Sequence, residues 1–182
     1  MGLLKTAFKW IAIAIGCFIA LIFILAASFG FATEIGIFPA TLVQTGEEMP
    51  EKHYEALRDA KVLERKETVK FYYSEGIFDV TDGGTIMTNS RIIGYWKEDE
   101  KVEVLAYPLE TLDRIVMNLE GGALEDAEYA VSQGGDDENS LLLFLSVEED
   151  RHLEMVGALE DQIEKNHAAY AETAEETTVA VD

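Results

Sequence analysis

The sequence predicts an α+β protein: an N-terminal transmembrane helix, then about seven antiparallel strands in a bent sheet or partial barrel, capped by a C-terminal amphipathic helix. Three observations predict it. An uncharged apolar run of 23 residues extends from Trp10 to Ala32. Between Thr68 and Ser146, short segments of alternating polarity are separated by glycine-rich and acidic turns. From Glu148 to Asn166, Leu153, Val156, Leu159 and Ile163 recur at helical spacing.

The apolar run comes first. As a helix it would rise about 35 Å, against a hydrocarbon core of about 30 Å. Trp10 stands where an amphipathic ring favours the interface, and Ile11, Leu21, Phe23 and Leu25 supply lipid-facing bulk. A cleaved secretory signal has an apolar core of only about 7–15 residues, although Gly30-Phe31-Ala32 is a weak cleavage site. A lipidated Cys17 would need a better match than Ala14-Ile15-Gly16 before it, and the apolar run continues past it. A buried core helix is rarely apolar on every face for this length. Lys5 and Lys9 precede the run, and Glu34, Glu47, Glu48 and Glu51 follow it before the first basic residue, Lys52. This bias places the N-terminus in the cytoplasm and the remaining chain outside, on a single-pass inner-membrane protein. Ala12, Gly16 and Ala20 recur every four positions, a spacing that permits close helix contact.

Charge excludes whole classes of partner. The chain has 14 Lys+Arg and 35 Asp+Glu, a net charge of −21. The first 33 residues hold two of the lysines and none of the acids, so the rest carries −23. Such a surface repels nucleic acid, which is bound through cationic contacts. A saline habitat is one explanation of the acidity. The only cysteine, Cys17, lies in the apolar run, so the remainder has no disulfide, thiol nucleophile or thiolate metal site.

Four regions follow. Residues 1–33 form the anchor with its short tail. Residues 34–67 form a linker, broken by Pro39 and Pro50, and an amphipathic helix over 51–65 with Tyr54, Leu57, Lys61 and Val62 on one face. Residues 68–166 form the domain. The strands are read from TVKFYYSEG with IFDV, TIMTN, RIIGYWKE, KVEVLAYP, DRIVMNLE, AEYAVSQ and SLLLFLS, the last buried on both sides. Asp82-Gly83-Gly84, Gly121-Gly122 and the stretch from Gly134 to Asn139 are read as turns or loops. Residues 167–182 are Ala-, Thr- and Glu-rich and are expected to be a disordered acidic tail.

One stretch carries a resemblance. Gly84-Thr85-Ile86-Met87-Thr88-Asn89-Ser90-Arg91-Ile92-Ile93-Gly94-Tyr95 resembles the G-x-x-x-L-T-x-x-R-V-I-x-Y signature of bacterial PH-like (GRAM-like) domains, with Met87 for Leu and Ile92 for Val. FYYSEG is similar to their first strand, and the segment from Thr45 to Glu67 to the linker and helix before such domains in membrane-anchored bacterial proteins. The likeness covers about 45–165. It implies a platform for lipids, peptides or proteins, and a fold does not fix which. Gly84, Thr88, Asn89, Arg91 and Tyr95 are its signature positions, and each has a folding role: Thr88 and Asn89 make a tight connection, and Arg91 reaches a nearby acid or carbonyl. Family members that hold phosphoinositide headgroups use a basic pocket. Here Lys66, Lys70, Arg91, Lys97 and Lys101 form no cluster and are outnumbered by acids, which argues against that ligand.

Catalytic chemistry has little to stand on. His53, His152 and His167 show no metal-binding spacing and are read as solvated. Ser74, Ser132, Ser140 and Ser146 lack a nucleophile-elbow context, and no glycine pair is followed by a phosphate-binding lysine. Asp136-Asp137-Glu138-Asn139 is the best candidate for a hard cation, without EF-hand spacing, and reads better as a solvated loop. No catalytic residue, cofactor or metal is therefore expected. The expectation is a membrane-held module that binds a protein partner. The alternative is lipid or membrane-surface sensing through the apolar 34–45 segment.

Overall fold

A computed structural model describes residues 15–28, 39–122 and 125–179, with side chains throughout except at 136–139 and 172–179. The chain divides into two compact units, Met1–Ile37 and Phe38–Asp182. In the first, residues 15–28 form helix α1, where the Ser28 hydroxyl donates to the Ile24 carbonyl at 2.7 Å. Leu21, Phe23 and Leu25 are exposed on it, and Trp10 and Ile11 lie outside the described residues. Fourteen helical residues rise about 21 Å. Among the described residues no helix is long and apolar enough to cross a membrane.

The second unit is an α+β domain with two antiparallel sheets and a C-terminal helix. The first sheet holds β1 (Gln44–Thr45), β2 (Val69–Ser74), β3 (Gly83–Thr88), β4 (Arg91–Glu98) and β5 (Lys101–Pro108), in that order. The second holds β6 (Leu112–Leu119), β7 (Ala127–Gln133) and β8 (Asp136–Leu145). Helix α2 (Glu51–Asp59) precedes β2, and α3 (His152–Val179) follows β8.

Alternation explains why the first sheet has two buried faces. Tyr73, Met87, Ile92 and Tyr107 pack with Leu143, Leu145, Met155 and Leu159, toward the second sheet and α3. Tyr72, Ile86, Ile93 and Tyr95 point the other way, onto Leu57, Val62 and Leu63. Successive side chains of a strand take opposite faces, so a strand buried on both reads as a continuous apolar run. The segment containing α2 is thus a layer of the domain. Val43 joins the first of these cores and Met49 the second.

Helix α2 stops well short of residue 65. The Val62 amide donates to the Leu57 carbonyl and the Lys61 amide to that of Arg58, with Lys61 at φ 63°. This is a Schellman closure, sealed by the shared burial of Leu57 and Val62. Lys61 therefore leaves the expected helical face and is exposed.

Other expectations are corrected. Gly83 and Gly84 lie inside β3, and residues 77–80 form a loop with Ile77 and Phe78 exposed. The turn after β7 is only Gly134-Gly135, both at positive φ, and Asp136–Asn139 already belong to β8. In β8, Leu141, Leu143 and Leu145 are buried, but Leu142 and Phe144 are exposed, so the strand is buried on one face only. On α3 the buried positions are His152, Met155, Val156, Leu159, Ile163 and Asn166, while Leu153 faces out. Asn166 Nδ2 donates to the carbonyls of Leu109 and Leu112, both at 2.8 Å, tying the helix to the start of β6. Helix α3 continues through Val179, past the expected start of a disordered tail at residue 167. Alanine and glutamate have high helix propensity, and a helix already nucleated by packing extends without a second nucleation cost.

Gly84 is required by a close approach. A Cβ there would stand 2.2 Å from the Tyr73 carbonyl oxygen and 2.7 Å from the Tyr95 hydroxyl. Gly84→Ala is expected to lower the unfolding free energy of the full chain by about 3 kcal/mol. Gly122→Ala, which meets nothing within 4 Å, should change it by less than about 0.5 kcal/mol. Urea denaturation of the two variants and the parent protein, followed by circular dichroism, compares them.

Candidate functional site

Among the described residues each sheet ends in strands with one unpaired edge, and two of these edge strands, β5 and β8, come together. Strand β8 crosses the first sheet, touching β3, β4 and β5. Gly94 lets it do so: a Cβ there would stand 2.7 Å from Leu141 Cδ1 and 3.7 Å from the Leu142 carbonyl oxygen. Thr85 Oγ1 donates to the Phe144 carbonyl at 3.4 Å, a second tie across the crossing.

Beside this crossing a cleft of about 320 Å³ opens. Trp96 and Leu105 contribute from the first sheet, and Leu142 and Phe144 from β8. These four large apolar side chains keep between 37% and 47% of their surface exposed. Their burial would release water from a contiguous apolar lining, which is the usual mark of a binding groove. Val104, on the opposite face of β5 from Leu105, is also exposed at 37%, so the middle of that strand keeps apolar surface on both faces.

The electrostatics are one-sided. Glu75 is the one charged residue among the described lining. Burial, and then the nearby Asp126 carboxylate, raise its pKa above the ordinary glutamate value. Behind it the Tyr73 hydroxyl donates to Asp126 Oδ2 at 2.8 Å. Burial first, and that bond second, push the Tyr73 phenol far up, so it stays a donor. Glu103 stands opposite Trp96 in the β4–β5 register, and Glu128 opposite Phe144 in β7–β8.

The signature residues gather elsewhere, around one buried carboxylate. Arg91 Nε and Nη2 donate to the two oxygens of Glu67 at 2.5 and 2.8 Å, and Nη2 also reaches the Val62 carbonyl at 3.3 Å. The Glu64 amide donates to Glu67 at 2.7 Å, and the hydroxyls of Thr88 and Ser90 approach it at 3.3 Å. Thr88 Oγ1 accepts from the amides of Ser90 and Arg91. Asn89 Oδ1 accepts from the Thr68 amide, and the Tyr95 hydroxyl donates to the Val80 carbonyl. These bonds fix the β3–β4 connection onto the chain leaving α2. Gly84 and Tyr95 also border the cleft; Thr88, Asn89 and Arg91 do not.

The remaining candidates disperse. His53 and His152 are buried rather than solvated; His167 is exposed. Burial lowers the pKa of His152, partly opposed by Asp150. Lys97 is engaged by Asp82 at 3.3 Å and Asp79 at 3.8 Å. No group of three potential metal ligands occurs among the described residues, and the side chains of Asp136–Asn139 lie outside them. The cleft residues Trp96, Leu105, Leu142 and Phe144 were not singled out by sequence. The available signal was parity: Trp96 shares its face with Ile92 and Gly94, yet sits at the strand's open end.

No family model and no curated protein matches the chain. Among solved structures it is similar to a protein with a pleckstrin-homology domain from Shewanella loihica, at 18% identity and a TM-score of 0.41, covering 62% of this chain and 90% of that one. It is also similar to a pleckstrin homology domain from Shewanella amazonensis, at 18% identity and a TM-score of 0.39, covering 62% and 95%. At this distance neither assigns a family or a function to the chain.

Removing Arg91 tests the signature network. Burial alone would raise Glu67, but the Arg91 and Glu64 bonds outweigh it and hold the carboxyl below its ordinary value of 4.5. A depressed carboxyl stabilises the fold above its unfolded pKa, and that stability is lost as pH falls through the folded value. Arg91→Ala should cost about 3 kcal/mol at neutral pH, because it strands a buried charge. It should also flatten the loss of stability below pH 4.5, since Glu67 would no longer be depressed. Denaturation midpoints of the two proteins from pH 3 to 7 measure both effects.

Proposed function

We propose that this chain is a membrane-anchored binding module of PH-like architecture that holds a segment of a partner protein between β5 and β8. One observation carries the reading: an open apolar cleft lies where two unpaired strand edges meet. Extended segments bind such edges through main-chain hydrogen bonds, while neighbouring pockets select their side chains. The seven strands β2 to β8 followed by a helix, and the stretch from Gly84 to Tyr95, support the PH-like reading. The reading as a binding module is supported by a mainly apolar lining, in which Glu75 is the one charged residue among those described, beside the hydroxyl groups of Thr85, Tyr95 and Ser140.

The anchor in this proposal is the uncharged run from Trp10 to Ala32, with Lys5 and Lys9 holding the N-terminus in the cytoplasm. Lipid sensing through residues 34–45 finds less support, because Val43 is buried in the domain core. Reporter fusions at the C-terminus test the orientation: activity of a periplasm-specific reporter is expected, and activity of a cytoplasm-specific one overturns it.

A photo-cross-linking amino acid placed at Leu105 of the full-length protein, in its native membrane, tests the cleft. The expected result is a discrete cross-linked species absent when the same group replaces exposed Glu160 on α3. No capture at Leu105, or equal capture at both sites, overturns the reading.

A further inference from the structure

The charge around the cleft restricts what can occupy it. Glu75 lines the cleft, and Glu103 and Glu128 stand opposite two of its apolar residues, Trp96 and Phe144. No Lys or Arg belongs to its described lining. The two basic side chains of β4 are already engaged, Arg91 by Glu67 and Lys97 by Asp79 and Asp82. Beyond this rim the chain after residue 33 carries −23.

We infer that the cleft takes an extended apolar segment flanked by lysine or arginine, and that its acidic rim selects this segment. The inference rests on the binding reading above and adds the chemistry of the partner. Two occupants are disfavoured by the same charges. A second copy of this chain would bring two −23 surfaces edge to edge, and like charges juxtaposed at an interface oppose association. An apolar segment with acidic flanks would set its carboxylates against Glu75 and Glu103.

A cationic flank meets the rim without burying a charge. The apolar centre covers Trp96, Leu105, Leu142 and Phe144, while the flanking ammonium or guanidinium groups remain at the wet edge beside the glutamates. Rim charges of this kind contribute to selectivity and to the rate of encounter more than to affinity, and they weaken with salt. On the face of β5 that carries Leu105, Glu103 is also exposed, so an added strand meets acid and apolar surface side by side, while Tyr107 beyond them is buried in the core.

The chain contains two tryptophans, Trp10 and Trp96, so Trp10→Phe leaves Trp96 as a reporter inside the cleft. The full chain carrying Trp10→Phe, in nanodiscs of neutral lipid, is titrated with four peptides. Three share a Val-Leu-Val-Phe-Val centre flanked on both sides by two lysines, two glutamates or two serines. The fourth has lysine flanks around a serine-glycine centre. The lysine-flanked apolar peptide is expected to shift Trp96 emission to the blue and to bind about tenfold tighter than the serine-flanked one, a gap of the size a few exposed ion pairs supply. The gap should close in 1 M salt, where the screening length is about 3 Å. Glu103→Gln should narrow it without affecting the serine-flanked peptide. Equal binding of the three apolar peptides overturns the charge inference and leaves the cleft reading standing. Equal binding of the two lysine-flanked peptides shows non-specific attraction and overturns the inference. No emission change with any peptide also overturns it, and the Leu105 cross-link then decides the cleft reading separately.

Discussion

The passage of β8 over β4 at Gly94 is the constraint on which the domain's other features depend. Where a strand of one sheet crosses another sheet, a glycine marks the place at which the two can approach closely. Without a side chain at Gly94, Leu141 comes within 2.7 Å of where its Cβ would be. That proximity seats Leu141, Leu143 and Leu145 in the main core. By the pleat, it turns Leu142 and Phe144 outward. The apolar cleft is therefore not a defect of packing. It is the other face of the strand that closes the core.

The opposite side of the first sheet is secured differently. There α2 and the turn after it cover Tyr72, Ile86, Ile93 and Tyr95. The chain then reaches β2 through Glu67, whose buried carboxylate gathers Arg91, Thr88, Ser90 and the Glu64 amide. A buried carboxylate is costly unless each oxygen finds donors, and this one has them on both. The network thus fixes the β3–β4 connection relative to α2. At the other end of the domain, Thr41 donates to Glu148 and Glu48 meets Arg151, joining the segment before α2 to the approach to α3.

Much of this architecture was legible in sequence. The segments RIIGYWKE, KVEVLAYP and AEYAVSQ coincide with β4, β5 and β7, because turn-forming residues bound them: Asn89-Ser90 and Asp99-Glu100 around β4, Asp99-Glu100 and Pro108 around β5, and Gly134-Gly135 after β7. Glycine pairs were less informative, since one letter serves two physical needs. Gly134-Gly135 makes a turn at positive φ, whereas Gly83-Gly84 lies in a strand where another backbone comes close. The burial of His53 and His152 was hidden for a related reason. Both stand beside charged residues in sequence, and only the helix face that each occupies decides their surroundings. The cleft was hidden because SLLLFLS is apolar at nearly every position. Composition registers an apolar residue and cannot say whether a neighbour covers it, so Leu142 and Phe144 looked like core.

The acidity and the cleft belong to one physical argument. Open strand edges with exposed apolar side chains invite association with any similar edge, including that of another copy. Proteins commonly blunt such edges with charge, and this chain places Glu103 in the middle of β5 and carries a net charge of −21. A strong net charge of one sign keeps identical chains apart while it attracts a segment of the opposite sign. An apolar groove set in such a field can remain open without self-association. In the binding reading proposed above, the same charge that keeps it open also selects what fills it.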